Sequence, residues 1–229
     1  MITVKNKKLL LIALGVVCVL GMMLAACEPN VTMTSGNGTG TGNGASGTIA
    51  DNVKDTEPKN SLGDSVYYAD IEIKDYGTIT VRLDQNAAPV TVANFVELAQ
   101  SGFYDGLTFH RIIYGFMMQG GDPLGNGFGG AEKNIYGEFA NNGFKNNLSH
   151  KRGVISMARA TGNNTASSQF FIVHKDSESL DGDYAAFGYV TEGMDIVDAI
   201  CESARPIDNN GMIAPEDQPV MVSVKIRTE

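Results

Sequence analysis

Tryptophan is absent from the 229 residues, and only three cysteines and three histidines are present. Cys18 and Cys27 fall within or at the end of an apolar N-terminal run, which leaves Cys201 without a partner and excludes a disulfide framework. His110, His150 and His174 have no Asp or Glu at metal-ligand spacing, so the sequence offers neither a metal site nor a Ser-His-Asp triad. Ser167 and Ser168 in "ASSQ" lack the G-x-S-x-G elbow of a hydrolase. No run of Lys and Arg follows the first eight residues and the formal net charge is -9, so nothing here attracts a nucleic-acid backbone. The glycine-rich "GGDPLGNGFGG" has G-x-G spacings but is read with neither the strand before it nor the helix after it that a dinucleotide site needs. No cofactor is implied.

What is present begins with an export signal. Lys5, Lys7 and Lys8 precede "LLLIALGVVCVLGMMLAA", an n-region followed by an h-region. The run ends in Leu24-Ala25-Ala26-Cys27, which resembles a bacterial lipoprotein signal, in which lipid is attached to the cysteine and the chain is cut before it. Ordinary cleavage after Ala26, or an uncleaved single-span anchor, would also fit the run, although a span needs about 20 apolar residues. The expected organisation is a signal peptide over 1–26, a Gly-rich linker over 27–65 with Cys27 lipidated, and a folded domain over 66–229. The linker, with "SGNGTGTGNGASGT" at its centre, has no apolar periodicity; about 38 such residues span on the order of 30–40 Å.

The folded part opens with a hairpin, in which Ile71 and Ile73 alternate with polar residues before "KDYG" and Ile79, Val81 and Leu83 alternate after it. An amphipathic helix follows, with Pro89 in its first turn, Val92, Phe95, Val96 and Ala99 on one face, and Gly102 as its stop. Short strands are predicted at "LTFHRII", "FMMQGG", "GVISMA", "QFFIVH" and "AAFGYV". A second helix is predicted from about Met194 to Ser203, where Met194, Val197, Ile200 and Cys201 share a face and make Cys201 a structural thiol. The last strand, "PVMVSVKI", reads as Val220, Val222, Val224 and Ile226 in strict alternation. About eight strands and two helices without regular β-α alternation predict a mainly β fold, a closed antiparallel eight-stranded barrel.

Three blocks, "FHRIIYGFMMQGGD", "SMARATGNNTASSQFFI" and "LDGDYAAFGYV", occur in the order and spacing of the cyclophilins, and the chain resembles that family of peptidyl-prolyl cis-trans isomerases from about Tyr68 to Ile226. The resemblance implies that Arg111 is the catalytic guanidinium, with Gln119 orienting it and Phe116 beside it. It places Phe116, Met117, Phe171 and Leu180 around the substrate's proline ring. Gln169 and the backbone of Ala158 and Arg159 would hold the extended peptide, and Tyr184 stands where many relatives have histidine. Ser179 replaces a tryptophan common before the "LDG" leucine, which implies weak cyclosporin binding. His110, next to Arg111 along a strand, is expected to point to the opposite face.

An arginine among apolar residues suits that chemistry. The amide C–N bond resists rotation by about 18–20 kcal/mol, and a fixed donor near the prolyl nitrogen stabilises the twisted state more than the planar one. The expected activity is isomerisation of X-Pro bonds in unfolded or exported polypeptides, by a monomer tethered to the membrane through Cys27 and assisting protein folding. A proline-peptide binding module, or a chaperone without essential turnover, uses the same pocket and is the competing expectation.

Overall fold

The computed structural model describes residues 62–229. The signal sequence, Cys27 and nearly all of the linker lie outside the described residues. The opening hairpin forms as the alternation dictates: β1 (Tyr67–Ile73) pairs antiparallel with β2 (Gly77–Leu83), and Ile71 stands opposite Ile79. Helix α1 (Pro89–Gln100) follows and buries Val92, Phe95, Val96 and Ala99. Strands β3 (Thr108–Ile113), β4 (Met117–Asp122), β5 (Val154–Met157), β6 (Phe170–Val173) and β7 (Ala186–Glu192) come next, then α2 (Met194–Ser203) and β8 (Met221–Thr228). The strands form one antiparallel sheet in the order β3-β4-β6-β5-β7-β2-β1-β8.

The sheet curls into an open half-barrel, which corrects the closed barrel expected from the sequence. Between β3 and β8 there is no ladder, only a bridge of Thr108 to Val220. The reason is that most of the outer edge of β3 is already taken by another segment. Residues 211–213 lie along β3, where the Gly211 carbonyl accepts from Ile112 N–H at 2.8 Å and Ile213 N–H donates to the His110 carbonyl at 2.9 Å. Gly211 has φ +88°, and a Cβ there would sit 2.4 Å from Ile113, so only glycine lets this strap lie so close. On its outer edge β8 meets only the chain leading into β3, where Met221 exchanges bonds with Gly106 and Leu107, and Val224 N–H donates to Asp105.

Two further expectations are corrected. The core residues of β8 are Met221 and Val224, while Val222 is exposed, because a bulge pairs Ile73 with Met221 but Glu72 with Ser223 and so skips Val222. The glycine-rich loop after Asp122 does follow a strand, β4, although no helix opens from it. Both helices fall where their periodicity put them.

The interior is filled from α1 and the inward face of the sheet. The Phe95 ring lies 5.0 Å from Tyr104, 5.5 Å from Phe170 and 5.3 Å from Phe187, and burying side chains of this size contributes about 1.5–3 kcal/mol each. Cys201 is buried on α2, and burial, with Asp198 adding to it, pushes its thiol up to about 12, so it is unreactive.

Carboxylates then pin the loops. No side chain of α1's own caps its N-terminus. Glu138, fully buried, supplies the cap from afar: its Oε1 accepts from Val90 N–H at 2.9 Å, and its Oε2 from Thr91 N–H and hydroxyl at 2.8 and 2.7 Å. Asp122 gathers the glycine-rich loop, accepting from the N–H groups of Leu124, Asn126 and Gly127 at 2.8, 3.0 and 2.6 Å. Asp198 on α2 is gripped by both terminal nitrogens of Arg152 at 2.7 Å.

Glu138→Ala leaves two helix-terminal N–H groups and a hydroxyl buried without partners, so urea unfolding should show a loss of about 2–3 kcal/mol; a loss below about 0.5 kcal/mol would show that the cap is not structural. Stability should also fall in acid. Burial alone would raise the Asp122 pKa, but its backbone hydrogen bonds outweigh that and hold it low, and Arg152 lowers that of Asp198. The stability these two contribute is present above the ordinary aspartate value and is lost as pH falls through their depressed folded values. Glu138 acts in the opposite sense, since burial raises its pKa despite its three donors. The urea midpoint should therefore hold from about pH 7 to about pH 5 and drop below about pH 4, with part of that drop abolished in Asp122→Asn.

Candidate functional site

A strand's side chains alternate between two faces, and the middle strands use both. Met118, Phe170, Ile172, Ile155 and Met157 join the interior cluster, while Met117, Phe171, Val173, Val154 and Ala186 form a second apolar cluster with Leu180. Phe116, Ala158, Tyr184, Ile113 and Leu148 pack against this second cluster and are only partly buried. Cross-strand register lines up one row through it: Arg111 opposite Gln119, Gln119 opposite Phe171, Phe171 opposite Ser156, and Ser156 opposite Ala186. The sequence-predicted Arg111, Gln119, Phe116, Met117, Phe171, Leu180 and Tyr184 are thus brought together around one row, although 73 positions separate Arg111 from Tyr184 (184 − 111).

Arg111 is held from two sides. Its Nε donates to the Asn210 carbonyl at 2.7 Å and its Nη1 to Gln119 Oε1 at 3.1 Å, with Met117 Sδ at 3.8 Å. Nη2 makes no hydrogen bond among the described residues. Burial lowers the guanidinium's pKa, and Tyr184 and Asp208 act against it; an arginine remains a cation throughout the physiological range. The hydrogen bonds continue in one direction: Gln119 Nε2 donates to Gln169 Oε1 at 2.9 Å, and Gln169 Nε2 donates to the Gly129 and Gly127 carbonyls at 2.8 and 3.1 Å.

Beyond Gln119 and Gln169 opens a groove of about 390 Å³, lined also by Phe128, Gly129, Ala158, Arg159 and Thr165. Ala158 N–H donates to the Gln169 carbonyl at 3.0 Å. The Arg159 side chain turns back onto the protein, donating to the Asp183 carbonyl at 2.8 Å and lying 5.1 Å from the Phe139 ring and 5.0 Å from that of Tyr184. It braces the groove wall, leaving main-chain groups as what this position offers a peptide. Ser179 is exposed immediately before Leu180.

Beneath the apolar row lies a polar one that sequence reasoning missed. His150 Nδ1 is 2.7 Å from Asp181 Oδ1 and its Nε2 is 2.9 Å from Ser156 Oγ, the connectivity of the triad that the sequence was read to exclude. It is no nucleophilic site, because Ser156 is 0% exposed and a carbonyl cannot reach its hydroxyl. The row instead supports the floor: the His150 ring stacks on Phe171 at 5.9 Å and 17°, and Tyr184 meets Phe171 edge-on at 5.8 Å. Burial lowers the His150 pKa despite Asp181, while Asp181, against its own burial, is held low by Ser149 and His150. Asp181 stands inside the "LDG" block, so its signal was visible; Asn210 acts through its backbone and left none. His110 is also buried, and desolvation first, then Arg111, lowers its pKa against Asp122, so the ring stays neutral. Among the described residues there is no cluster able to hold a metal.

Comparison with known proteins agrees with this fold. Residues 68–227 match the model of the cyclophilin type peptidyl-prolyl cis-trans isomerase family. A peptidyl-prolyl cis-trans isomerase of Helicobacter pylori is 45% identical over 154 residues, covering 66% of this chain and 91% of that one. Peptidyl-prolyl cis-trans isomerase B of Bacillus subtilis is 48% identical over 123 residues, 54% of this chain and 82% of its own. Among solved structures, a Cryptosporidium parvum cyclophilin determined in the presence of the dipeptide Ala-Pro superposes with a TM-score of 0.62 at 29% identity, covering 71% of this chain and 99% of that one. With the family model matched across more than half of the chain, and a relative at 45% identity covered over 91% of its own length, the chain belongs to the cyclophilin-type peptidyl-prolyl cis-trans isomerase family.

Proposed function

We propose that this isomerase acts on X-Pro bonds of extracytoplasmic polypeptides and assists their folding, as a monomer tethered by lipid at Cys27. The observation that carries the catalytic part is Arg111, fixed through Nε and Nη1 while Nη2 is left without a protein partner among the described residues. In this reading the proline ring rests on Phe116, Met117, Phe171, Leu180 and Tyr184. Arg111 then donates to the prolyl nitrogen as the amide twists and its lone pair localises, an interaction unavailable in the planar ground state. Gln119, its oxygen committed to Arg111, holds the guanidinium in plane and offers its remaining amide hydrogen to the substrate carbonyl. Gln169 and the main chain at Ala158 and Arg159 take the flanking residues. No bond is made or broken, so no nucleophile or proton shuttle is required. A 10⁴-fold acceleration needs only about 5.4 kcal/mol, within reach of one or two charge-assisted hydrogen bonds in a desolvated site.

Arg111→Ala should lower kcat and kcat/KM together by about 10²-fold or more, near 2.7 kcal/mol, with little change in melting temperature. Arg111→Lys keeps the charge but loses the planar fork and should fall less steeply. A variant that merely raises KM would favour a binding module over an enzyme.

The location and tether rest on the N-terminal sequence: the basic residues, the apolar run and Leu24-Ala25-Ala26-Cys27. Cys27→Ser should abolish incorporation of labelled fatty acid and shift the protein to a soluble or uncleaved form, while a chain starting near Ser65 keeps full turnover. Label entering the Cys27→Ser protein would overturn the lipid anchor.

A further inference from the structure

The tip of the β3–β4 hairpin, residues 114–116, presents Phe116 to the apolar pocket and is closed by one bond of its own, from Phe116 N–H to the Ile113 carbonyl at 3.0 Å. Tyr114 is 67% exposed, and Gly115 has φ +76°. The tip is held by His174, the residue just after β6. Its N–H donates to the Phe116 carbonyl at 2.9 Å, and its ring Nδ1 accepts from Gly115 N–H at 2.8 Å. On the other side of the ring, Nε2 lies 3.1 Å from Asp198 Oδ1 on α2. Arg152, from the turn before β5, holds Asp198 bidentately and also donates to the His174 carbonyl at 2.8 Å. The Tyr114 ring covers the imidazole at 5.1 Å, and His174 is 8% exposed.

This arrangement assigns the two ring nitrogens. A backbone N–H can only donate, so Nδ1 must present its lone pair and the hydrogen sits on Nε2, facing Asp198. The imidazole thus joins the hairpin tip on one side to α2 on the other.

We propose that His174 is a positioning residue for the proline pocket: by accepting from Gly115 N–H at its ring it fixes the hairpin tip and so sets the place of Phe116. The proposal rests on the assignment of Phe116 to that pocket. It predicts weaker substrate binding when the Gly115 bond is lost, with the catalytic step at Arg111 less affected.

The test compares the unaltered protein with His174→Asn, His174→Gln and Phe116→Ala, measuring kcat and KM on an X-Pro peptide by NMR exchange, without a coupling protease. Asparagine places an oxygen near the position of Nδ1 and accepts from Gly115. Glutamine reaches toward Asp198 and leaves Gly115 unpaired. His174→Gln should raise KM about three- to tenfold with kcat little changed, the worth of one neutral hydrogen bond, and His174→Asn should keep the low KM. His174→Gln binding normally, or His174→Asn raising KM as much as His174→Gln, would overturn the latch. Phe116→Ala should raise KM; if it does not, the pocket assignment itself fails, whereas a raised KM there alongside inert His174 variants removes the latch alone.

Discussion

A guanidinium can donate hydrogen bonds but never accept one, and much of the site's order follows from that asymmetry at Arg111. Because Nη1 faces Gln119, the amide must turn its oxygen toward the arginine, which leaves its nitrogen for Gln169. Gln169 is oriented in turn, and its nitrogen must find carbonyls, which the glycine-rich loop supplies at Gly127 and Gly129. Asp122 secures the same loop from the other side through N–H groups, so carbonyls and amides of one loop are claimed by two different partners. The position of a cation at the edge of the sheet thereby sets the wall of a groove several residues away.

That polar sequence depends on strands with two working faces. In β4 and β6, Met118, Phe170 and Ile172 fill the interior, while Met117, Gln119, Phe171 and Val173 point the other way. Shifting either strand by one residue would exchange the faces, destroying core and site together. The interior packing that stabilises the fold is therefore also what fixes the register of Arg111, Gln119 and Phe171. The Asp181–His150–Ser156 row adds support from beneath, holding the aromatic floor by hydrogen bonds rather than by shape alone.

Most of this was legible where local pattern and function coincide. The hairpin, both helices and the residues around the apolar pocket follow from alternation, from helical periodicity and from three sequence blocks. What escaped was non-local. Glu138 caps a helix that begins 49 positions earlier (138 − 89), and no capping residue sits beside Pro89 to signal the need. Asn210 anchors Arg111 through a carbonyl, which any residue possesses. The bulge that expels Val222 is set by pairing with β1, so the regular valines of the last strand misled. Closure of the barrel failed as an expectation because strand count says nothing of a strap competing for the same edge. His150 was weighed only as a ligand or a base, and its actual office, bracing a ring, depends on partners 6 and 31 positions away.

The strap along β3 bears on how such an isomerase meets a proline-containing peptide. An extended, unfolded chain approaching a bare strand edge can join the sheet through its own backbone, and a row of shared main-chain bonds is difficult to undo. Here the edge of the strand that bears Arg111 is occupied by residues 211–213, and that of β8 by residues 105–107. A peptide can meet the site through side chains and a few groove carbonyls and amides, but it finds no bare strand edge beside Arg111 to extend. Covering those edges turns a sheet that might otherwise seed aggregation into one that lets its substrate go.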